Sequence, residues 1–160
     1  MKKSQTMIGW EEWCAFPALG LPAIRAKVDT GAKTSCIHAY DIKPFTKDGG
    51  RYVRFKIHPL QRNKKLVRIC EAPISDFRNV TSSNGERDKR YVIKTPLVIG
   101  TKTIEAEVTL ASRHSMTFRM LLGRDAIRKA KMVVNPAKAC LLGKIDDPLN
   151  LYNPLNGETS

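Results

Sequence analysis

The feature that most constrains this chain is a period of two. Ile24, Ala26 and Val28 alternate with Arg25 and Lys27. Val53, Phe55 and Ile57 alternate with Arg54, Lys56 and His58, and Ile104, Ala106, Val108 and Leu110 alternate with Glu105, Glu107 and Thr109. Successive side chains of a β-strand point to opposite faces, so each run describes a strand with one face in a core and one in water. Residues 66–70 and 91–99 read as further strands, and Gly100, Thr101 and Lys102 turn the second into the Ile104 strand. Residues 47–50 and 59–65 read as turns, and the most polar stretch, 81–88, as a projecting loop. A single helix is expected from about Asp125 to Lys131, with Arg128, Lys129 and Lys131 in the last turn, where cations favour the helix dipole. These patterns predict an all-β domain over 1–145, a closed barrel with one short helix. An extended arm follows over 146–160, where Pro148, Pro154 and Gly157 fall.

Charge narrows the function. Against 15 Asp and Glu stand 28 Lys and Arg, a net charge of +13 in 160 residues. Such an excess attracts anions: nucleic acid, an acidic membrane surface or an acidic peptide. The basic residues cluster in 51–65 and in Arg87, Lys89 and Arg90, while the aromatics sit mostly at core parity. A nucleic-acid binder interleaves its charges with exposed aromatics, so this pattern argues against that partner. No apolar run approaches the length of a membrane-spanning helix. Lys2 and Lys3 lead into Ser4, Gln5 and Thr6 and then Glu11 and Glu12, with no apolar leader segment; the expectation is a cytoplasmic protein.

No cofactor is expected. There is no phosphate-cradling G-x-x-x-x-G-K-[ST], no H-E-x-x-H and no C-x-x-C. Cys14, Cys36, Cys70 and Cys140 are scattered, and Cys70 reads as a small buried hydrophobe. The histidines are His38, His58 and His114. Cys36 and His38 share a face of one strand, which reads as a core thiol beside a surface histidine and not as a metal pair.

The chemistry-bearing segment is Asp29-Thr30-Gly31-Ala32-Lys33-Thr34-Ser35, at the end of an alternating strand. Gly31 permits close backbone approach, Thr30 can brace the turn, and Asp29 is presented on a rigid sheet. Alone, the D-T-G tripeptide describes an ordinary turn leaving a strand. Nearly a hundred residues on, Met120-Leu121-Leu122-Gly123-Arg124-Asp125 places an apolar run, a glycine and an arginine at the start of the expected helix. With both motifs in this order, residues from about Ile8 to Leu142 resemble the retropepsin family of aspartic peptidases. The D-T-G-A-x-T-S form with a long basic arm looks like a bacterial branch often labelled "ATP-dependent zinc protease".

That resemblance implies a retropepsin-like barrel acting as a homodimer, in which Asp29 of each subunit builds the active site. The two carboxylates would share one proton and activate a water between them. It implies that Thr30 bonds to its twin across the dimer axis, that Gly31, Ala32 and Lys33 meet the substrate strand, and that Gly123, Arg124 and Asp125 brace the loop. It makes the 81–88 loop a flap whose arm carries Arg87, Lys89 and Arg90. Viral members carry an acid where this chain has Lys33, and that acid pairs with the later arginine. Arg124 is therefore expected to find another partner, Asp125 or the second subunit, and Lys33 to add positive charge near the dyad. The expected substrate is an acidic peptide, with a glutamate-rich one as the natural candidate, drawn to Lys33 and Arg87. The alternative is a module on the same barrel that binds peptide or nucleic acid without cleaving it.

Overall fold

The computed structural model describes residues 5–81, 85–112 and 117–152. In chain order its strands are β1 (Thr6–Ile8), β2 (Glu11–Phe16), β3 (Leu21–Asp29), β4 (Ser35–His38), β5 (Tyr40–Lys47), β6 (Gly50–Ile57), β7 (Arg68–Thr81), β8 (Arg87–Ile99), β9 (Lys102–Ala111), β10 (Met120–Gly123) and β11 (Met132–Val134). A 3-10 turn covers Pro17–Leu19, α1 covers Arg124–Lys129, and α2 covers Pro148–Tyr152. The tip of the 81–88 loop, residues 82–84, lies outside the described residues, as do His114 and residues 153–160 of the expected arm.

The expectation of a mostly β chain holds. Among the described residues one sheet runs β2-β3-β10-β4-β9-β8-β7-β6-β5, and a second contact, β2 with β8, closes its first six strands into a ring. The seam is short, Cys14 with Ile99 and Ala15 with Val98. The rest of β8 pairs with β7, from which β6 and β5 continue as an outward extension. The architecture is thus a sheet ring with a three-strand flank, and the barrel expected from the sequence is approximated by that ring. Apart from it, β1 and β11 form a parallel pair.

Alternation fills the interior. Ile24 and Ala26 of β3, Val53, Phe55 and Ile57 of β6, and Val108 and Leu110 of β9 are buried, as their parity requires. The turn at 47–50 has Asp48 and Gly49 both at positive φ, 51° and 79°. This two-residue geometry matches the twist of its flanking strands and favours Asp-Gly.

Two regions depart from expectation. The strand read as 66–70 runs on to Thr81 as β7, because its later half is amphipathic only as the arm of a hairpin with β8. The N-terminal strand β2 hides behind two acids. Glu11 and Glu12 are both buried, an arrangement that no hydrophobic pattern signals. Each is compensated. Glu11 pairs with Arg25, and the Glu12 carboxylate accepts the backbone N–H groups of Gly9 (2.8 Å), Leu141 (2.8 Å) and Leu142 (3.1 Å). A fully buried carboxylate is tolerable only when so satisfied, and here it ties the segment after β11 to the strand that opens the ring. Within the segment expected to be extended, Pro148–Tyr152 instead makes a helical turn. It buries Tyr152, whose hydroxyl bonds the carbonyl of Ala23.

Candidate active site

Sheet order builds the site. β10 lies between β3, to which it is parallel, and β4, to which it is antiparallel. The register sets Gly123 beside Asp29. The chain leaving Asp29 must therefore cross the end of β10 before it returns as β4, and residues 30–34 make that crossing.

The crossing is strapped down by backbone. Arg124 N–H donates to the Ala32 carbonyl (2.8 Å) and Asp125 N–H to the Lys33 carbonyl (3.1 Å). These are first-turn amides of α1, which lack partners inside their own helix. Gly123 N–H donates to the Ser35 hydroxyl oxygen (3.0 Å). The approach is too close for a side chain: a Cβ on Gly123 would stand 2.7 Å from the backbone carbon of Thr34. Glycine is required at 123 by this contact and not by a left-handed backbone.

Inside the loop, Gly31 N–H donates to Asp29 Oδ1 (3.0 Å), and Ala32 N–H to the Asp29 carbonyl (3.2 Å). The half-buried Asp29 carboxylate is thereby aimed before any ligand arrives. A Cβ on Gly31 would sit 3.3 Å from that same Oδ1, so crowding at the carboxylate is what a larger residue would cause there. Thr30 is exposed beside it.

The expectation that Arg124 pairs with Asp125 is corrected: its Nη1 donates instead to the carbonyls of Thr30 (3.4 Å) and Gly31 (3.2 Å). Asp125 is taken instead by Lys33, at 2.7 Å, with Arg128 at 4.0 Å. The Lys33 ammonium holds the Asp125 carboxyl below the usual carboxylate range. The acid–base pair across loop and helix exists here with its polarity reversed, acid on the helix and base on the loop. Lys33 charge is accordingly engaged by Asp125 and not directed solely at Asp29.

A cleft of about 640 Å³ opens between this loop and the β7–β8 hairpin. Asp29, Ala32, Lys33 and Cys36 line one side, and Arg78, Val80 and Arg90 line the hairpin side. Arg87 is not among the lining residues; it stands opposite Thr81 at the exposed end of the hairpin. Along β8, residues 88, 90 and 92 share one face and 87, 89 and 91 the other. Lys89 lies over the Phe77 ring, and Phe77 packs on Tyr91. Arg78 was missed because 71–81 was not read as a strand. A second concavity, about 520 Å³, lies behind the loop between Asp125, Glu105 and Lys129 and does not include Asp29.

Cys14, Cys70 and Cys140 carry free thiols. Burial pushes the thiols of Cys14 and Cys70 up to about 12, which makes them inert core groups. Among the described residues no three His, Cys, Asp or Glu side chains converge on a point that would hold a metal ion, and no helix is long and apolar enough to cross a membrane.

The family model for RimB-like proteins, described as "Retropepsin-like aspartic endopeptidase RimB", matches residues 7–144. The chain belongs to the RimB-like family. The matched stretch contains both the Asp29 loop and its Gly123–Asp125 strap, together with the whole β7–β8 hairpin. Curated relatives bear a different name. A "Probable alpha-L-glutamate ligase" of Shewanella pealeana is 49% identical over 147 residues, 92% of this chain and 32% of that protein. One of Desulfotalea psychrophila is 46% identical over 142 residues, 89% of this chain and 30% of that protein. The chain spans about a third of the length of these relatives. Among solved structures, a Legionella pneumophila protein of unknown function is similar at 27% identity with a TM-score of 0.74, covering 87% of this chain and 99% of that one.

Proposed function

We propose that this RimB-like chain is an aspartic endopeptidase that works as a homodimer and hydrolyses acidic, glutamate-rich peptides. The observation that carries the reading is the pre-aimed Asp29. Its carboxylate is fixed by the Gly31 amide on a loop strapped to β10 and α1, and it lines a cleft of about 640 Å³. One carboxylate cannot be both base and acid in the same step, and the chain carries a single D-T-G. A second copy related by a two-fold axis through the Thr30 pair supplies the other. The ionised Asp29 takes a proton from water as the water oxygen bonds the peptide carbonyl carbon, and the protonated Asp29 gives its proton to the carbonyl oxygen. The tetrahedral species collapses with transfer of a proton to the amide nitrogen and cleavage of the C–N bond, leaving an acid and an amine.

Two facts favour glutamate-rich substrates. The net charge is +13, and Lys33, Arg78 and Arg90 line the cleft against the single acid Asp29. The curated relatives carry, in chains three times as long, a name for glutamate addition. A region that trims what a ligase adds is a coherent companion to it. The test is cleavage of α-linked oligoglutamate by the intact chain and by Asp29→Asn, followed by mass spectrometry. A peptidase loses its products with the substitution. Equal binding by both chains, with no cleavage by either, identifies a binding module instead.

A further inference from the structure

The hairpin register sets two arginines face to face. Arg78 of β7 is directly opposite Arg90 of β8, and both line the cleft that holds Asp29. Like charges directly opposed on a sheet are destabilising. Burial makes it worse: the Arg90 side chain is only 7% exposed, and a buried guanidinium is costly unless its charge is met. The chain meets both charges with its own acids. Arg78 bonds Asp76 (3.2 Å) and, across to β9, Glu107 (3.1 Å). Arg90 bonds both oxygens of Asp88, each at 3.3 Å, and its Nη1 approaches the Cys36 sulfur at 3.8 Å. The Asp88 contacts are longer than the roughly 2.7–2.9 Å usual for charge-assisted pairs, and the Asp88 side chain is 58% exposed. Arg90 is therefore buried and loosely held, opposite a second arginine, in the cleft.

We infer that Arg78 and Arg90 form a carboxylate clamp, which grips the side chain of a glutamyl residue next to the bond to be cut. Asp88 and Glu107 act as internal carboxylates that hold the two guanidinium groups until the substrate carboxylate replaces them. The guanidinium fork matches a carboxylate through two parallel N–H bonds. Glutamine has the same shape but presents N–H to N–H on one side, so the pair rejects it. This rests on the endopeptidase reading only for the position of the scissile bond; the clamp itself needs only that an acidic peptide binds.

The experiment uses the full chain carrying Asp29→Asn, so that binding is read without cleavage. Fluorescence anisotropy at low salt compares an alternating Glu-Ala peptide with one in which the central Glu is replaced by Gln. The expected result is at least tenfold weaker binding of the Gln peptide. Adding Arg78→Gln or Arg90→Gln reduces that preference at least fivefold, and Asp88→Asn tightens the Glu peptide two- to fivefold by releasing Arg90. Arg54→Gln, an exposed position on β6 away from the cleft, changes binding less than twofold. If Arg54→Gln costs as much as Arg90→Gln, or if both cleft variants keep the full preference, the clamp is wrong and net charge alone attracts the peptide. Circular dichroism checks folding; should Arg90→Gln not fold, Arg78→Gln and Arg90→Lys decide between clamp and net charge. Selective binding by the Asp29→Asn chain with no cleavage by the intact chain rejects the peptidase reading and keeps the clamp. Cleavage of Glu and Gln peptides at equal kcat/KM does the reverse.

Discussion

The 30–34 loop and the β7–β8 hairpin face each other across one cleft, yet they are held in opposite ways. The loop is short, and the backbone amides of Arg124 and Asp125 pin it at Ala32 and Lys33, while that of Gly123 holds Ser35 just beyond it. The hairpin is long, and beyond Asp76 and Val92 its two strands pair only with each other, with Phe77 46% exposed. What the loop offers is position, since its carboxylate is set by an amide two residues away. What the hairpin offers is charge on side chains that can exchange partners. Such a division predicts that chemistry and selectivity separate under mutation, because each resides on a different element.

The largest test lies on the loop side. Asp29→Asn should lower the rate of glutamate-peptide cleavage at least ~10³-fold in single-turnover measurements, as loss of general acid–base catalysis implies. Its melting temperature should stay close to that of the parent. A variant that keeps more than a tenth of the rate would remove Asp29 from the chemistry. Inhibition by a statine-type mimic of the tetrahedral intermediate should accompany an unchanged rate in chelator.

Next comes stability. Gly123→Ala forces a Cβ against the Thr34 backbone and should cost about 2–3 kcal/mol in urea unfolding. On the hairpin, Arg87→Gln should stay within about 0.5 kcal/mol, since Arg87 is exposed. Equal costs at the two positions would mean that the loop is no more tightly held than the arm.

A smaller effect is expected from salt. Raising it from 50 to 500 mM should increase KM for a glutamate-rich peptide severalfold and change kcat less, because screening weakens attraction to the hairpin but not the aim of Asp29.

The smallest effect concerns Lys33 and Asp125. The Asp125 carboxyl is depressed in the folded chain, so its pairing stabilises fully above the ordinary carboxylate value and is lost only as pH falls through the depressed one. Both side chains are largely exposed. Lys33→Met should therefore cost no more than about 0.5 kcal/mol at neutral pH, and the difference from the parent should vanish in strong acid when unfolding is followed against pH.

How far the sequence disclosed all this follows the same division. The loop and its strap were legible through the family resemblance carried by the two motifs together, since D-T-G alone describes an ordinary turn. Asp29 and Gly123 fall side by side as that resemblance implied. Strands β3, β6 and β9 were legible because one face of each is dry. The hairpin was only half legible. Its register sets Arg78 opposite Arg90 in the cleft, and register is fixed by pairing partners that alternation within one strand does not reveal. Strand β2 was hidden because its acids are buried for bonds to Arg25 and to the amides of 141 and 142, the latter more than a hundred positions away.

The placement of β10 between β3 and β4 also sets a timetable. Asp29 and Ser35 are made early, but the strand that separates and supports them arrives some ninety residues later. Contacts so distant in sequence form slowly, since the intervening chain must first give up its freedom. During synthesis, then, the loop bearing Asp29 exists long before it has anything to cross. The loop acquires its strap only when the chain has been made through Asp125.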